Sequence, residues 1–188
     1  MKVEALAIAD VSVIHAKVFD DARGGFCETW NRRSFAEAGV TGEFVQDNHV
    51  WSSAKGTLRG LHFQAPPHAQ GKLVRVVKGA IFDVAVDLRR GSANFGRHVS
   101  TIIAAADARQ IWVPVGFAHG YVTLEPDTEV IYKVTDYYAP GAEGGVLWND
   151  PALDIAWPIE PGAAVLSEKD KILPLFADLA SPFAIAAL

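Results

Sequence analysis

The chain has 188 residues, 50% of them hydrophobic and 21% charged, with a formal net charge of −5. That length fits one domain with a sizeable core, and an acidic balance without any basic block argues against nucleic acid as partner. No apolar run approaches the length of a membrane helix, the start Met1-Lys2-Val3-Glu4 lacks the apolar region of a signal peptide, and the lone Cys27 excludes a disulfide framework and a cysteine-rich zinc site. A single domain over 1–188, working in the cytoplasm without a membrane partner, is expected.

Val3 to Val18 alternates loosely and predicts a strand. Phe19 to Gly25, rich in Asp and Gly, predicts a turn, and Phe26, Glu28 and Trp30 follow at the period of a strand. Asn31 is placed to cap a short helix through Ser34, Phe35 and Ala38, with Gly39 ending it. Phe44 to Val50 reads as a strand with Gln46 and Asn48 on one face. Ala65 to Gly71, containing Pro66 and Pro67, is a loop. Leu73 to Lys78 is a strand, and Phe82 to Arg89 alternates strictly, predicting a half-buried one. Gly96 to Ile103 and Ile111 to Pro114 continue the pattern, and Tyr121–Leu124 and Glu129–Thr135 are expected to form a strand pair. After Tyr138 turns dominate, and 172–188 is an apolar tail broken by Pro174 and Pro182. Many short strands separated by Gly and Pro describe an all-β antiparallel domain of the jelly-roll type, with a few short peripheral helices.

One stretch concentrates the chemistry. Gly56-Thr57-Leu58-Arg59-Gly60-Leu61-His62-Phe63-Gln64, with Lys72 eight residues on, sets an imidazole, a guanidinium and an ammonium in strand-rich sequence. Strict alternation puts His62 and Arg59 on opposite faces. A bulge at Gly60 would be needed to bring both to one pocket. Pro114-x-Gly116-x-x-His119 matches the second motif of cupin jelly rolls, in which the histidine is often a metal ligand. The first motif lacks its His-x-His pair here, reading His62-Phe63-Gln64, so a metal site is not expected. Taken singly, His62, His119 and Tyr132 would be satisfied core residues and Lys72 a solvated strand-edge lysine. Ser167-Glu168-Lys169-Asp170 would be a capped helix start. Their joint occurrence needs another account.

The sequence resembles the dTDP-4-dehydrorhamnose 3,5-epimerase family, cupin-fold enzymes of deoxysugar nucleotide synthesis. The resemblance rests on Asp21-Ala22-Arg23-Gly24 with Glu28, Gln46-Asp47-Asn48, Leu58-Arg59-Gly60-Leu61-His62-Phe63-Gln64, Pro114-x-Gly116-Phe117-Ala118-His119-Gly120, Tyr132-Lys133-x-Thr135-x-Tyr137-Tyr138 and Ser167-x-Lys169-Asp170, in one order. It implies inversion of C3 and C5 of dTDP-4-dehydro-6-deoxy-D-glucose. His62 would be the base, Asp170 would orient it, Lys72 would face the enolate oxygen, and Tyr132 would return the proton from the opposite face. Arg23 and Arg59 would hold the diphosphate, and Tyr138 would stack on thymine. Glu28, Gln46, Asn48, His119, Glu143 and Lys169 complete the substrate site that the resemblance implies. It requires no cofactor, and it implies a homodimer with exchanged N-terminal strands, about residues 1–30. Inversion at C3 or C5 alone is the nearest alternative. A metal-dependent cupin oxygenase and a non-catalytic nucleotide-sugar binding module are more distant ones.

Overall fold

The structure, a computed structural model, describes residues 1–160 and 162–185. The strands are β1 (Lys2–Ala5), β2 (Ser12–His15), β3 (Val18–Asp21), β4 (Gly24–Cys27), β5 (Gln46–Ser52), β6 (Leu58–Gln64), β7 (Lys72–Lys78), β8 (Ala80–Asp87), β9 (His98–Ala104), β10 (Arg109–Val113), β11 (Phe117–Thr123), β12 (Thr128–Val134) and β13 (Glu143–Gly145). Among the described residues one α-helix, α1 (Arg32–Glu37), and several 3-10 turns accompany them. Six strands form one antiparallel sheet in the order β1-β2-β10-β7-β12-β5, and five form a second in the order β13-β6-β11-β8-β9. The all-β, cupin-type jelly-roll expectation is met.

Alternation sorts the side chains into three layers. Val13, Val74, Val76, Ile111, Val113 and Val130 of the first sheet meet Ile81, Ala85, Val99, Ile103, Phe117 and Tyr121 of the second in a shared interior. Outside the second sheet, Leu61, Phe63, Val84, Val86 and Leu88 are covered by Val146, Leu153 and the C-terminal Phe183. Outside the first, Ile14, Leu73 and Trp112 pack under Phe35 of α1 and Val40. Each sheet thus buries both faces over part of its area, and that is where most of the apolar stabilisation resides.

Several expectations are corrected. The Val3–Val18 segment is two strands, β1 and β2, joined through Leu6–Val11 and paired with each other antiparallel. The Phe19–Gly25 turn contracts to Ala22-Arg23, because the residues on either side pair as a β3–β4 hairpin. The strand through Phe26 ends at Cys27, before Glu28 and Trp30. Strand β8 is not half-buried. Ile81, Asp83, Ala85 and Asp87 face the interior while Val84 and Val86 face the outer layer, so all but Phe82 are buried. Residues 121–124 and 129–135 do not pair with each other either. Strand β11 lies between β6 and β8 in one sheet, and β12 between β7 and β5 in the other.

The helix follows its cap. Asn31 Oδ1 accepts from the backbone N–H groups of Arg33 and Ser34 at 3.0 and 3.2 Å, and Gly39 leaves the helix at φ +83°. The tail through residue 185 has little regular structure but is firmly placed. Phe183 is buried against Phe63, with ring centroids 5.5 Å apart, and Ser181 Oγ donates to the Leu88 carbonyl. Its last residues, 186–188, lie outside the described part.

Candidate active site

The site begins with the register of β6 on β11. His119 pairs with His62, but Tyr121 pairs with Arg59, so two residues of β6 oppose Gly120 alone. This bulge reverses the alternation after Gly60 and turns both Arg59 and His62 toward the interior. Only glycine fits there. Gly60 has φ +139°, and a Cβ on it would lie 2.5 Å from the Gly120 Cα.

Around this bulge the inward faces of both sheets define a cleft of about 260 Å³, lined among others by Arg59, His62, Lys72, His119, Tyr132 and Asp170. A second lobe of about 230 Å³ adds Gln46, Asn48, Gln64, Gln70, Tyr138 and Glu143. The lobes share His62, Lys72 and Tyr132. His62 projects from the five-stranded sheet, whereas Lys72 and Tyr132 project from the six-stranded one. The shared trio therefore spans the cleft from opposite walls.

His62 Nε2 lies 2.6 Å from Asp170 Oδ1. Asp170 is brought in by the segment after Ser167, whose Oγ accepts from the Asp170 backbone N–H at 3.2 Å. Burial pushes the Asp170 carboxyl up, but the hydrogen bonds from His62 and Ser167 and the nearby charges of His62 and Lys169 outweigh it and hold the group ionised. An ionised acceptor fixes the proton on Nε2 of the neutral ring, leaving the lone pair of Nδ1 for a substrate proton. Lys72 Nζ donates to the His62 carbonyl at 3.4 Å. Desolvation lowers the Lys72 ammonium to about 8, while the Asp83 and Glu143 carboxylates oppose that shift. The Tyr132 phenol is pushed up by burial, eased by Arg59 and reinforced by Glu143, so it stays a neutral proton donor at neutral pH.

The second lobe is organised by amides. Gln46 Nε2 donates to Asn48 Oδ1 at 2.8 Å, and Gln46 Oε1 accepts from the Tyr138 backbone N–H at 3.0 Å. Glu143 ties this rim to the first lobe, accepting from Tyr138 Oη at 3.1 Å and pairing with Lys169. Burial raises the Glu143 carboxyl, but Lys169, Tyr138 and His62 together hold it below its ordinary range.

Two expected residues are not brought in. Arg23 sits at the tip of the β3–β4 hairpin, solvent-exposed and paired with Asp21 at 2.6 Å. Glu28 accepts from Asn31 Nδ2 and Ser34 Oγ beside the helix. Neither lines the cleft. Conversely, sequence reasoning missed Asp83 and Tyr121. Asp83, fully buried, holds His119 Nε2 at 2.8 Å, and Tyr121 lines the first lobe. The signal was there. Asp83 is a carboxylate at an inward position of an apolar strand, and Tyr121 follows His119 by the two residues that keep a strand face. Among the described residues, no three His, Cys, Asp or Glu side chains group as a metal would need, and no helix is long and apolar enough to cross a membrane.

A family model described as dTDP-4-dehydrorhamnose 3,5-epimerase matches residues 5–178. The chain belongs to the dTDP-4-dehydrorhamnose 3,5-epimerase family. It is accordingly an epimerase, an isomerase. A dTDP-4-dehydrorhamnose 3,5-epimerase of Pseudomonas aeruginosa is 52% identical over 179 residues, 95% of this chain and 97% of that protein. The crystal structure of a Legionella pneumophila dTDP-6-deoxy-D-glucose-3,5-epimerase in complex with dTDP-4-keto-L-rhamnose is similar with TM-score 0.90 and 41% identity, covering 95% of this chain and 94% of that one. A Streptomyces bikiniensis 3'-monoepimerase in complex with dTDP-quinovose is similar at TM-score 0.84 and 33% identity, covering 92% of this chain and 87% of that one.

Proposed function

We propose that the protein inverts C3 and C5 of dTDP-4-dehydro-6-deoxy-D-glucose to give dTDP-4-dehydro-L-rhamnose. The observation that carries this reading is the arrangement of His62 and Tyr132 on facing sheets with Lys72 between the same two lobes. Inversion needs a base on one face of the sugar ring and an acid on the other. His62 Nδ1 takes the proton from carbon, and the bonding pair passes into the C4 ketone as an enolate. The Lys72 ammonium stabilises the enolate oxygen, a contribution of about 3 kcal/mol for one preorganised donor. The Tyr132 hydroxyl then delivers a proton to the opposite face, and the electron pair returns to that carbon. The imidazolium loses its proton to solvent and the phenolate regains one, so the step balances without redox change. Asp170 stabilises the imidazolium and keeps Nδ1 aimed.

Arg59, exposed at the cleft mouth, is assigned the diphosphate, where a guanidinium matches paired phosphate oxygens. His119 and Lys169 are assigned to the substrate site as a whole. Gln46, Asn48 and Glu143 are assigned the polar groups of nucleoside and sugar, and Tyr138 the thymine face. Arg23 and Glu28 are assigned to the site of a second copy in a homodimer. The β3–β4 hairpin supports this, since among the described residues it pairs only with itself and it exposes Phe19 and Phe26. A shared interior between the sheets supports one domain over 1–188. The free thiol of Cys27 suits the cytoplasm.

Proton exchange in D2O tests the chemistry. Incubation with dTDP-4-dehydro-6-deoxy-D-glucose should place deuterium at both C3 and C5 by NMR, and His62→Ala should slow exchange by about a hundredfold or more while still binding dTDP. Deuterium at one carbon alone would move the reading to a single-site epimerase. No exchange at either, with the nucleotide sugar bound, would refute catalysis on this substrate.

A further inference from the structure

Tyr121 is only 5% exposed, and its hydroxyl has no hydrogen-bond partner among the described residues. A buried hydroxyl without a partner costs free energy that phenylalanine would avoid. The position is no accident of packing depth, because Tyr121 lines the cleft beside His119, with ring centroids 6.4 Å apart, and pairs in register with Arg59 on one side and Asp83 on the other. Strand β11 therefore aims a second phenol at the cavity that Tyr132 enters from the opposite sheet. We propose that the Tyr121 hydroxyl is a substrate-binding group that donates a hydrogen bond to an oxygen of the hexose. This rests on the dTDP-hexose reading above.

Two observations select the hexose over the diphosphate. Arg59, the guanidinium nearest in register, is exposed at the mouth, whereas Tyr121 belongs to the interior apolar cluster with Val74, Val113 and Phe117. A diphosphate stays where charge can be solvated and paired, while an uncharged deoxyhexose can reach an apolar floor. Tyr121 lines the first lobe and not the adjoining one lined by Gln46, Asn48 and Tyr138, the residues assigned to the nucleoside end. Burial raises the phenol well above its ordinary range, so it presents an O–H at any working pH and needs an acceptor.

The test is Tyr121→Phe, which removes one oxygen and keeps the ring. Calorimetric titration with dTDP and with dTDP-D-glucose, an unreactive dTDP-hexose, separates the two ends of the ligand. The variant should bind dTDP within about twofold of wild type and dTDP-D-glucose about tenfold more weakly, as expected for one lost hydrogen bond. Its kcat/KM should fall by a similar factor, and its melting temperature without ligand should stay level or rise. Equal weakening for both ligands would put the hydroxyl on the diphosphate and overturn the inference. Unchanged binding of both would overturn it as well, leaving the dTDP-hexose reading intact. A wild-type protein that bound neither ligand would remove that reading and this inference with it.

Discussion

Lys72 carries the sharpest conflict between folding and chemistry. Its ammonium is charged below about pH 8, although desolvation favours the neutral amine. The folded value lies below the ordinary 10.5 of the unfolded chain, so the cost of keeping Lys72 charged is fully present below pH 8 and fades as pH rises toward 10.5. Lys72→Met should therefore melt higher than wild type at pH 7, by on the order of 1–3 kcal/mol after allowing for partial exposure. That advantage should narrow above pH 8, and epimerisation should fall at least about a hundredfold. The wild-type rate should also decline as pH passes about 8. Lys72→Arg, though slower, should carry that decline to higher pH, because guanidinium does not deprotonate there. An alkaline limb identical in both would remove Lys72 from the enolate. The family resemblance named Lys72 for the enolate, but its desolvation was not visible in the sequence, where Lys72 looks like any lysine opening a strand. Its environment is made by Asp83 and Glu143, which reach it only through the pairing of distant strands.

At the scale of elements, the β6 bulge decides which side chains share a cavity. Gly60→Ala would force a Cβ to within 2.5 Å of the Gly120 Cα at a φ of +139°. The strand must shift, and with it the relation of Arg59 to His62. The expected result is a folded protein destabilised by about 1–3 kcal/mol in urea titration, with activity lost more steeply than stability. Wild-type activity in that variant would mean that the bulge is not what aligns the site. The need for a bulge was legible from spacing alone, since Arg59 and His62 fall on opposite faces of a regular strand. So was α1, whose Asn31 cap and Gly39 stop act locally. Local signals misled where long-range pairing ruled. Asp20, Gly24 and Gly25 read as turn residues yet form a hairpin. The alternation of β8 implied one wet face, but the covering layer comes from residues about a hundred positions later, such as Phe183.

At the scale of the whole molecule, Arg23, paired with Asp21, sits at the tip of a hairpin that pairs with neither large sheet among the described residues. If Arg23 serves a second copy, inactive Arg23→Ala and His62→Ala chains should complement each other. A mixed dimer then holds one site with both defects and one with none. Random pairing at equal amounts should restore about a quarter of wild-type activity, and no recovery would assign Arg23 to its own chain or to no site at all. The sequence motifs named Arg23 without saying whose site it enters, because strand exchange leaves no mark on periodicity. The 108 positions separating His62 from Asp170 have a consequence for synthesis. A ribosome makes His62, Tyr132 and the strands of both sheets well before it makes Asp170. The stretch carrying Asp170 runs directly into the one that seals the outer face of the second sheet with Phe183. A nascent chain therefore holds a partly uncovered apolar sheet and His62 without its Asp170 partner at the same time. Covering of that outer face and the pairing of His62 with Asp170 thus fall close together in synthesis.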